Sequence, residues 1–262
     1  MASRSIGALI ACAMLLCTNA QASVREQTGA FALQGQSQRV VARLQRTGSD
    51  TLDLVQLSES AHKPITNYVP VDGAPVHFFI VRDDFQTFTH VHPAVRGNGH
   101  FAVQAHLEKN HRYYAYVDSF ISEIGEQTLR FTLQSGAPPH HLAVTLQRPN
   151  VTAQAGPYRI ALSTARFNAG APITLSAAVT RGRSIVTPPK AHSFDTVAAI
   201  LNTSSLEYIS VYEGNANGLW YPGEYDRPQL RLPALRAGVY RMWLQLTIQG
   251  KTYTAPFTLA VQ

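Results

Sequence analysis

The sequence predicts an all-β protein of two sandwiches in tandem, and three observations carry the prediction. Short segments rich in β-branched and aromatic residues recur along the 262 residues, with Gly, Pro, Asn and Asp between them. No segment shows the 3.6-residue apolar periodicity of an amphipathic helix. The order of features in the first half also returns in the second. A shift of 120 lays Phe79, Ile80 and Val81 on Ala199, Ile200 and Leu201, and Phe88 on Tyr208. A shift of 126 lays Tyr114 on Tyr240, Val117 on Trp243 and Phe131 on Phe257. The six extra residues fit an insertion in the Gly-, Asn- and Pro-rich stretch 213–230.

In chain order, residues 1–22 read as an export signal. Arg4 is the only charge before an apolar run at 6–17, which leads to Asn19-Ala20-Gln21-Ala22, a small-x-small cleavage pattern. That run is too short to span a bilayer, and no later segment approaches the ~20 apolar residues that spanning requires. Both cysteines, Cys12 and Cys17, fall inside the signal, so the mature chain is expected to lack disulfides, thiolate ligands and a nucleophilic cysteine. The bulky Leu16 before Cys17 argues against a lipid anchor. Residues 23–30 are expected to be a frayed lead-in. Strands are expected at 39–44, 52–57, 77–81, 88–92, 101–106, 113–117 and 129–133, giving a first sandwich over 23–136. The Pro-containing stretch 137–155 reads as a stiff linker. Strands at 158–162, 173–179, 196–201, 208–212, 230–232, 239–248 and 253–261 give a second sandwich over 156–262. The run 77–81 is apolar almost without a break, as in a strand covered on both faces, and Gly97-Asn98-Gly99 is a strong turn signal.

The net charge of +6 comes from scattered arginines, which fits a solvated basic surface. No nucleic-acid-binding motif is present, so nucleic acid is not an expected partner. The absence of P-loop and G-x-G-x-x-G patterns removes nucleotide chemistry, and no G-x-S-x-G elbow accompanies Ser119. Asp83 and Asp84 read as turn formers rather than a paired acid and base. Trp220, Tyr221 and Tyr225 could stack on a sugar or peptide, or fold over the core. His140 and His141 are adjacent, so on an extended chain their side chains diverge into solvent.

The candidate chemistry lies in 76–93, VHFFIVRDDFQTFTHVHP. His90-x-His92 places two imidazoles on one face of a strand. With 82–86 as the turn, antiparallel pairing brings His77 close to residues 90–92. Three neutral imidazoles suit Cu(II) or Zn(II), with water or a carboxylate as fourth ligand. Without thiolates the site is not a blue-copper centre, and Met242, the one methionine beyond the signal, lies in the other half. Asp118 is the candidate fourth ligand, or an acceptor that fixes an imidazole tautomer. His100, His106 and His111 read as surface residues. The second half supplies a comparison: the shift of 120 puts Val197, Ser210 and Tyr212 where the three histidines stand. The strand pair therefore does not need imidazoles in order to pack. The competing reading is that His92-Pro93 ends a strand and His77 is a hydrogen-bonded, half-buried residue.

The same stretch resembles exported bacterial proteins of the YtkA-like and heavy-metal-associated β-sandwich families. There a histidine opens a hydrophobic strand, followed by a V-R-D-D turn and an F-x-H-x-H-P strand. The matching positions are His77, Arg82, Asp83, His90, His92 and Pro93. The likeness continues through 99–101 and 113–118, and in the second half through 238–245 and 253–257. This resemblance implies an immunoglobulin-like fold, a periplasmic or secreted location, and an association with copper or other heavy metals. Relatives often repeat a histidine strand in the second half, where Ser210 and Tyr212 stand here.

Three functions then stand open. The first is an exported, non-enzymatic metal-binding protein that handles copper or zinc through His77, His90, His92 and Asp118. The second is a structural or interaction module presenting loops or edge strands to an envelope protein, peripheral at most to the membrane. The third is a hydrolase or oxidoreductase using a metal-bound water.

Overall fold

A computed structural model describes residues 27–28, 30–31, 39–137, 144–146, 148–187, 196–212 and 229–262. The predicted export signal with Cys12 and Cys17, His140 and His141, and the loop carrying Trp220, Tyr221 and Tyr225 lie outside the described residues.

The first unit runs through β1 (Gln27–Thr28), β2 (Ala30–Phe31), β3 (Val40–Arg46), β4 (Thr51–Ser58), β5 (Val76–Arg82), β6 (Phe88–Val91), β7 (Ala94–Gly97), β8 (His100–Gln104), β9 (His111–Ile121) and β10 (Gly125–Ser135). Its two sheets have the orders β1-β3-β4-β8-β7 and β2-β10-β9-β5-β6. The second unit runs through β11 (Thr152–Ala155), β12 (Tyr158–Leu162), β13 (Arg166–Phe167), β14 (Ile173–Arg181), β15 (Ser184–Ile185), β16 (Thr196–Asn202), β17 (Tyr208–Tyr212), β18 (Gln229–Leu232), β19 (Gly238–Ile248) and β20 (Lys251–Val261). One of its sheets is β11-β12-β14-β15, with β18 also on β14, and the other is β13-β20-β19-β16-β17. These are two immunoglobulin-like β-sandwiches in tandem, each closed over its own apolar core.

The expected strands form, and the differences concern edges. The lead-in is not frayed throughout: β1 pairs with β3 at Leu44 and Arg43, and β2 pairs with β10. β11 pairs with β12, so the second sandwich begins at 152 and takes in the end of the predicted linker. β7, β13 and β15 also escape the apolar pattern. They are short and mostly exposed, and main-chain pairing makes them strands, helped in β13 by Phe167 packing against the second core. The turn at Asn98-Gly99 joins β7 to β8 with φ of 52° and 72°, the two left-handed residues of a type I′ hairpin. At Gly99 a Cβ would stand 2.7 Å from the Gln56 carbonyl oxygen, so only glycine fits.

Two strands organise the whole chain. β5 is buried on both faces: Val76, Phe78 and Ile80 enter the first core, while Phe79 and Val81 face the second sandwich. β16 mirrors it, with Ala198 and Ile200 in the second core and Val197, Ala199 and Leu201 facing the first sandwich. The two sheets meet in a third apolar cluster rich in aromatic rings. Phe88 stacks on Trp243 at 4.9 Å and 11°, and Tyr116 on Tyr208 at 4.3 Å and 17°.

The two hairpins share one register. Phe79 opposes His90 and Val81 opposes Phe88, as Ala199 opposes Ser210 and Leu201 opposes Tyr208. The predicted match of Val117 with Trp243 is off by one residue. Val117 lies in the first core, whereas Trp243 lies in the shared cluster, stacked on Phe88. The turn after β19 is one residue shorter than that after β9, with Ile248 pairing Lys251 where Ile121 pairs Gly125. A slip of one residue exchanges the faces of a strand. The correct offset sets Tyr116 on Trp243 and Asp118 on Gln245.

Trp243 is 2% exposed and at the centre of the shared cluster. Replacing it by alanine is expected to destabilise the protein by about 3–5 kcal/mol, measured by urea unfolding. A loss below about 1 kcal/mol would show that the sandwiches do not depend on this contact.

Candidate metal centre

β5 presents His77 on the same face as Phe79 and Val81, toward the second sandwich. In the adjacent hairpin strand Phe79 opposes His90 and Phe78 opposes Val91, so His92 comes opposite His77 just past the end of β6. Pro93 follows at once; it has no N–H for a ladder, and the chain leaves the sheet there for β7. Local sequence thus delivers all three histidines to one point. One ring nitrogen of each lies within 4.8 Å of the others. His77 is fully buried, His90 half-buried and His92 exposed.

The hydrogen bonds around this group set the tautomers. His77 Nε2 lies 2.8 Å from the Val71 carbonyl oxygen, and a carbonyl only accepts, so Nε2 carries the proton. His90 Nδ1 lies 2.8 Å from Gln245 Oε1, whose amide nitrogen donates to Thr254 Oγ1 at 3.0 Å. With the Gln245 amide in this orientation, His90 carries its proton on Nδ1. The nitrogens left over, His77 Nδ1 and His90 Nε2, face each other at 3.0 Å with lone pairs on both. No proton remains to join them while both rings are neutral. Imidazole nitrogens bind ions such as Zn(II) at about 2.0–2.1 Å, so two of them this close could hold one cation together.

Burial keeps the rings neutral. It pushes His77 down to about 4 and His90 down to about 3, and the neighbouring imidazoles act in the same direction. The bonds to Val71 and Gln245 oppose the shift without cancelling it. Phe79 stacks on His90 at 4.2 Å, and the Tyr212 ring lies 4.6 Å from that of His77.

Asp118 does not join the imidazoles, in spite of pairing with His77 across β5 and β9. Its Oδ2 accepts from Tyr212 Oη at 2.6 Å and from Tyr208 Oη at 3.5 Å, both on the second sandwich. It is fully buried, and burial raises its carboxyl above the usual range. The tyrosine hydroxyls draw it toward the other unit and away from a ligand position. The acidic turn is structural as expected: Asp84 accepts from Arg82 Nη2 at 2.7 Å and from the Gln86 amide at 3.0 Å. Ser119 lies inside the first sandwich, accepting from Gln56 Nε2 at 3.1 Å. Each remaining candidate histidine has a carboxylate of its own: His100 on Asp53 at 3.1 Å, His106 on Asp50 at 3.1 Å, and His111 at 3.6 Å from Asp83. Met242 is buried in the second core.

Sequence reasoning missed Gln245 and the Val71 carbonyl, the two groups that orient the rings. Gln245 carries a signal, being a lone amide in the apolar run 242–246 at the position equivalent to Asp118. A backbone carbonyl carries none.

No protein-family model matches the sequence, and no curated protein matches it. Among solved structures the chain is similar to a two-domain fibronectin type-III segment from chicken tenascin, at 10% identity and a TM-score of 0.25, over 89% of this chain and 99% of that one. It is similar to Escherichia coli alpha-2-macroglobulin at 11% identity and a TM-score of 0.26, over 86% of this chain and 23% of that one. It is also similar to squid arrestin at 9% identity and a TM-score of 0.24, over 90% of this chain and 98% of that one. The immunoglobulin-like assignment rests on the strand order and the two closed cores described above.

An unfolded histidine takes up its proton near 6.5, whereas folded His77 and His90 do so only near 4 and 3. The unfolded chain therefore binds more protons between these values. The stability involved is intact above 6.5 and falls as pH drops through the window, at up to about 1.4 kcal/mol per pH unit for each histidine. Urea midpoints of the metal-free protein should fall from about pH 7 to about pH 4.5. The His77→Gln variant should show a shallower fall; an equal slope would contradict the assignment.

Proposed function

We propose that the protein is an exported, non-enzymatic metal-handling protein of the cell envelope, which binds one Cu(II) or Zn(II) through His77, His90 and His92. One observation supports this reading above the rest: the 3.0 Å approach of two lone-pair nitrogens whose protons are committed outward, to Val71 and Gln245. With these tautomers the pair is repulsive without an ion and a preformed pair of ligands with one, and exposed His92 stands ready as the third. Neutral imidazoles without thiolate favour Cu(II) or Zn(II) among common cations. The export pattern at 1–22 supports an envelope location, where such ions arrive from outside.

Calorimetry with the metal-free chain should give one Cu(II) per chain. The His90→Ala, His92→Ala double variant should lose that binding, and a variant that binds as well as the parent would sink the proposal. Gln245→Leu removes the acceptor that fixes His90 and should weaken binding about 10- to 100-fold, while Gln245→Glu, which still accepts, should retain most of it. Equal affinities for Leu and Glu would show that Gln245 does not orient the ligand.

A further inference from the structure

Beside the histidines the two sandwiches leave a cleft of about 500 Å³. His90 and His92 line it from the first unit, and Gln245, Thr247, Thr252 and Thr254 from the second. Its volume lies in the range of small-molecule sites, about 300–1,000 Å³, and such sites favour domain junctions. His77 is fully buried behind His90 and against Tyr212, and it takes no part in the lining. An ion held by the three imidazoles would therefore be approached by way of the cleft.

The lining also narrows what could enter. Among the described residues, Asp72 is the one charged side chain of the lining and no lysine or arginine takes part in it, so this part of the wall disfavours multiply charged anions. The opposite wall is a set of hydroxyls: Thr247 and Thr252 stand 3.1 Å apart, and Thr254 bonds the Gln245 amide at 3.0 Å. Hydroxyl oxygens accept from an N–H, and borderline cations such as Cu(II) and Zn(II) take imidazole nitrogen readily.

We propose that this cleft binds a small, uncharged, imidazole-type nitrogen donor, which would occupy the open position of the metal and donate its second N–H to the threonine wall. The proposal rests on the metal reading above. It gives the second sandwich a role in ligand access as well as in orienting His90. A histidine side chain of a metal donor or acceptor has this chemistry.

The test uses the full chain loaded with Cu(II) and titrated with imidazole, followed by electron paramagnetic resonance and visible absorption. A saturable change at one imidazole per chain is expected, with copper still co-eluting with the protein on gel filtration. Inorganic phosphate at the same concentration should leave the spectra unchanged. Thr252→Phe places a ring in the cleft from an exposed hairpin position. It should keep the parent's copper affinity and lower the imidazole response at least tenfold; Thr247→Phe provides a second variant with the same expectation. Failure of the parent to take up copper overturns the metal reading and this inference with it. Copper uptake with no imidazole response overturns the inference alone. So does an equal response to phosphate, loss of copper to imidazole, or a parental response in both filled variants.

Discussion

Everything in this molecule depends on a sheet-to-sheet contact in which the central strand of each sandwich is covered on both sides. β5 and β16 give alternate side chains to their own cores and to each other's sheets, and the aromatic cluster between them excludes water. Tandem β-sandwiches joined end to end would leave those outer faces in solvent. Here they form a third core, and its low polarity is what removes the charge from His77 and His90 and raises the Asp118 carboxyl. The same exclusion makes every polar group in the layer costly unless it is partnered.

The partners are found across the junction. Asp118 and Gln245 occupy equivalent places on β9 and β19, each opposite the first inward residue of its neighbouring strand: His77 in one unit, Val197 in the other. Asp118 Oδ2 accepts from tyrosines of the second sandwich, and Gln245 Oε1 meets a histidine of the first. Two equivalent positions thus serve different ends. One closes the layer with a buried carboxylate, and the other aims an imidazole.

The architecture was legible in the sequence because its main strands carry strong apolar runs, and the uninterrupted 77–81 run announced a strand buried on both faces. The histidine group was legible for the same reason: period-2 alternation and a short acidic turn bring His90 and His92 to His77. What escaped was held by the main chain or by the other unit. β7 and β15 have no apolar face to reveal them. Asp118 looked like a ligand because it neighbours His77, and only the docking of the sandwiches shows Tyr212 taking it. The one-residue offset between β9 and β19 likewise arises in a turn, where composition does not count residues.

The bond from His90 to Gln245 has one further implication. Thermodynamic linkage is reciprocal, so any free energy that the second sandwich lends to a bound ion is returned by that ion to the contact between the sandwiches. Under the proposed metal reading, occupancy at the histidines and closure of the junction become a single equilibrium, and the resistance of that junction to being pulled apart becomes a gauge of whether the site is loaded.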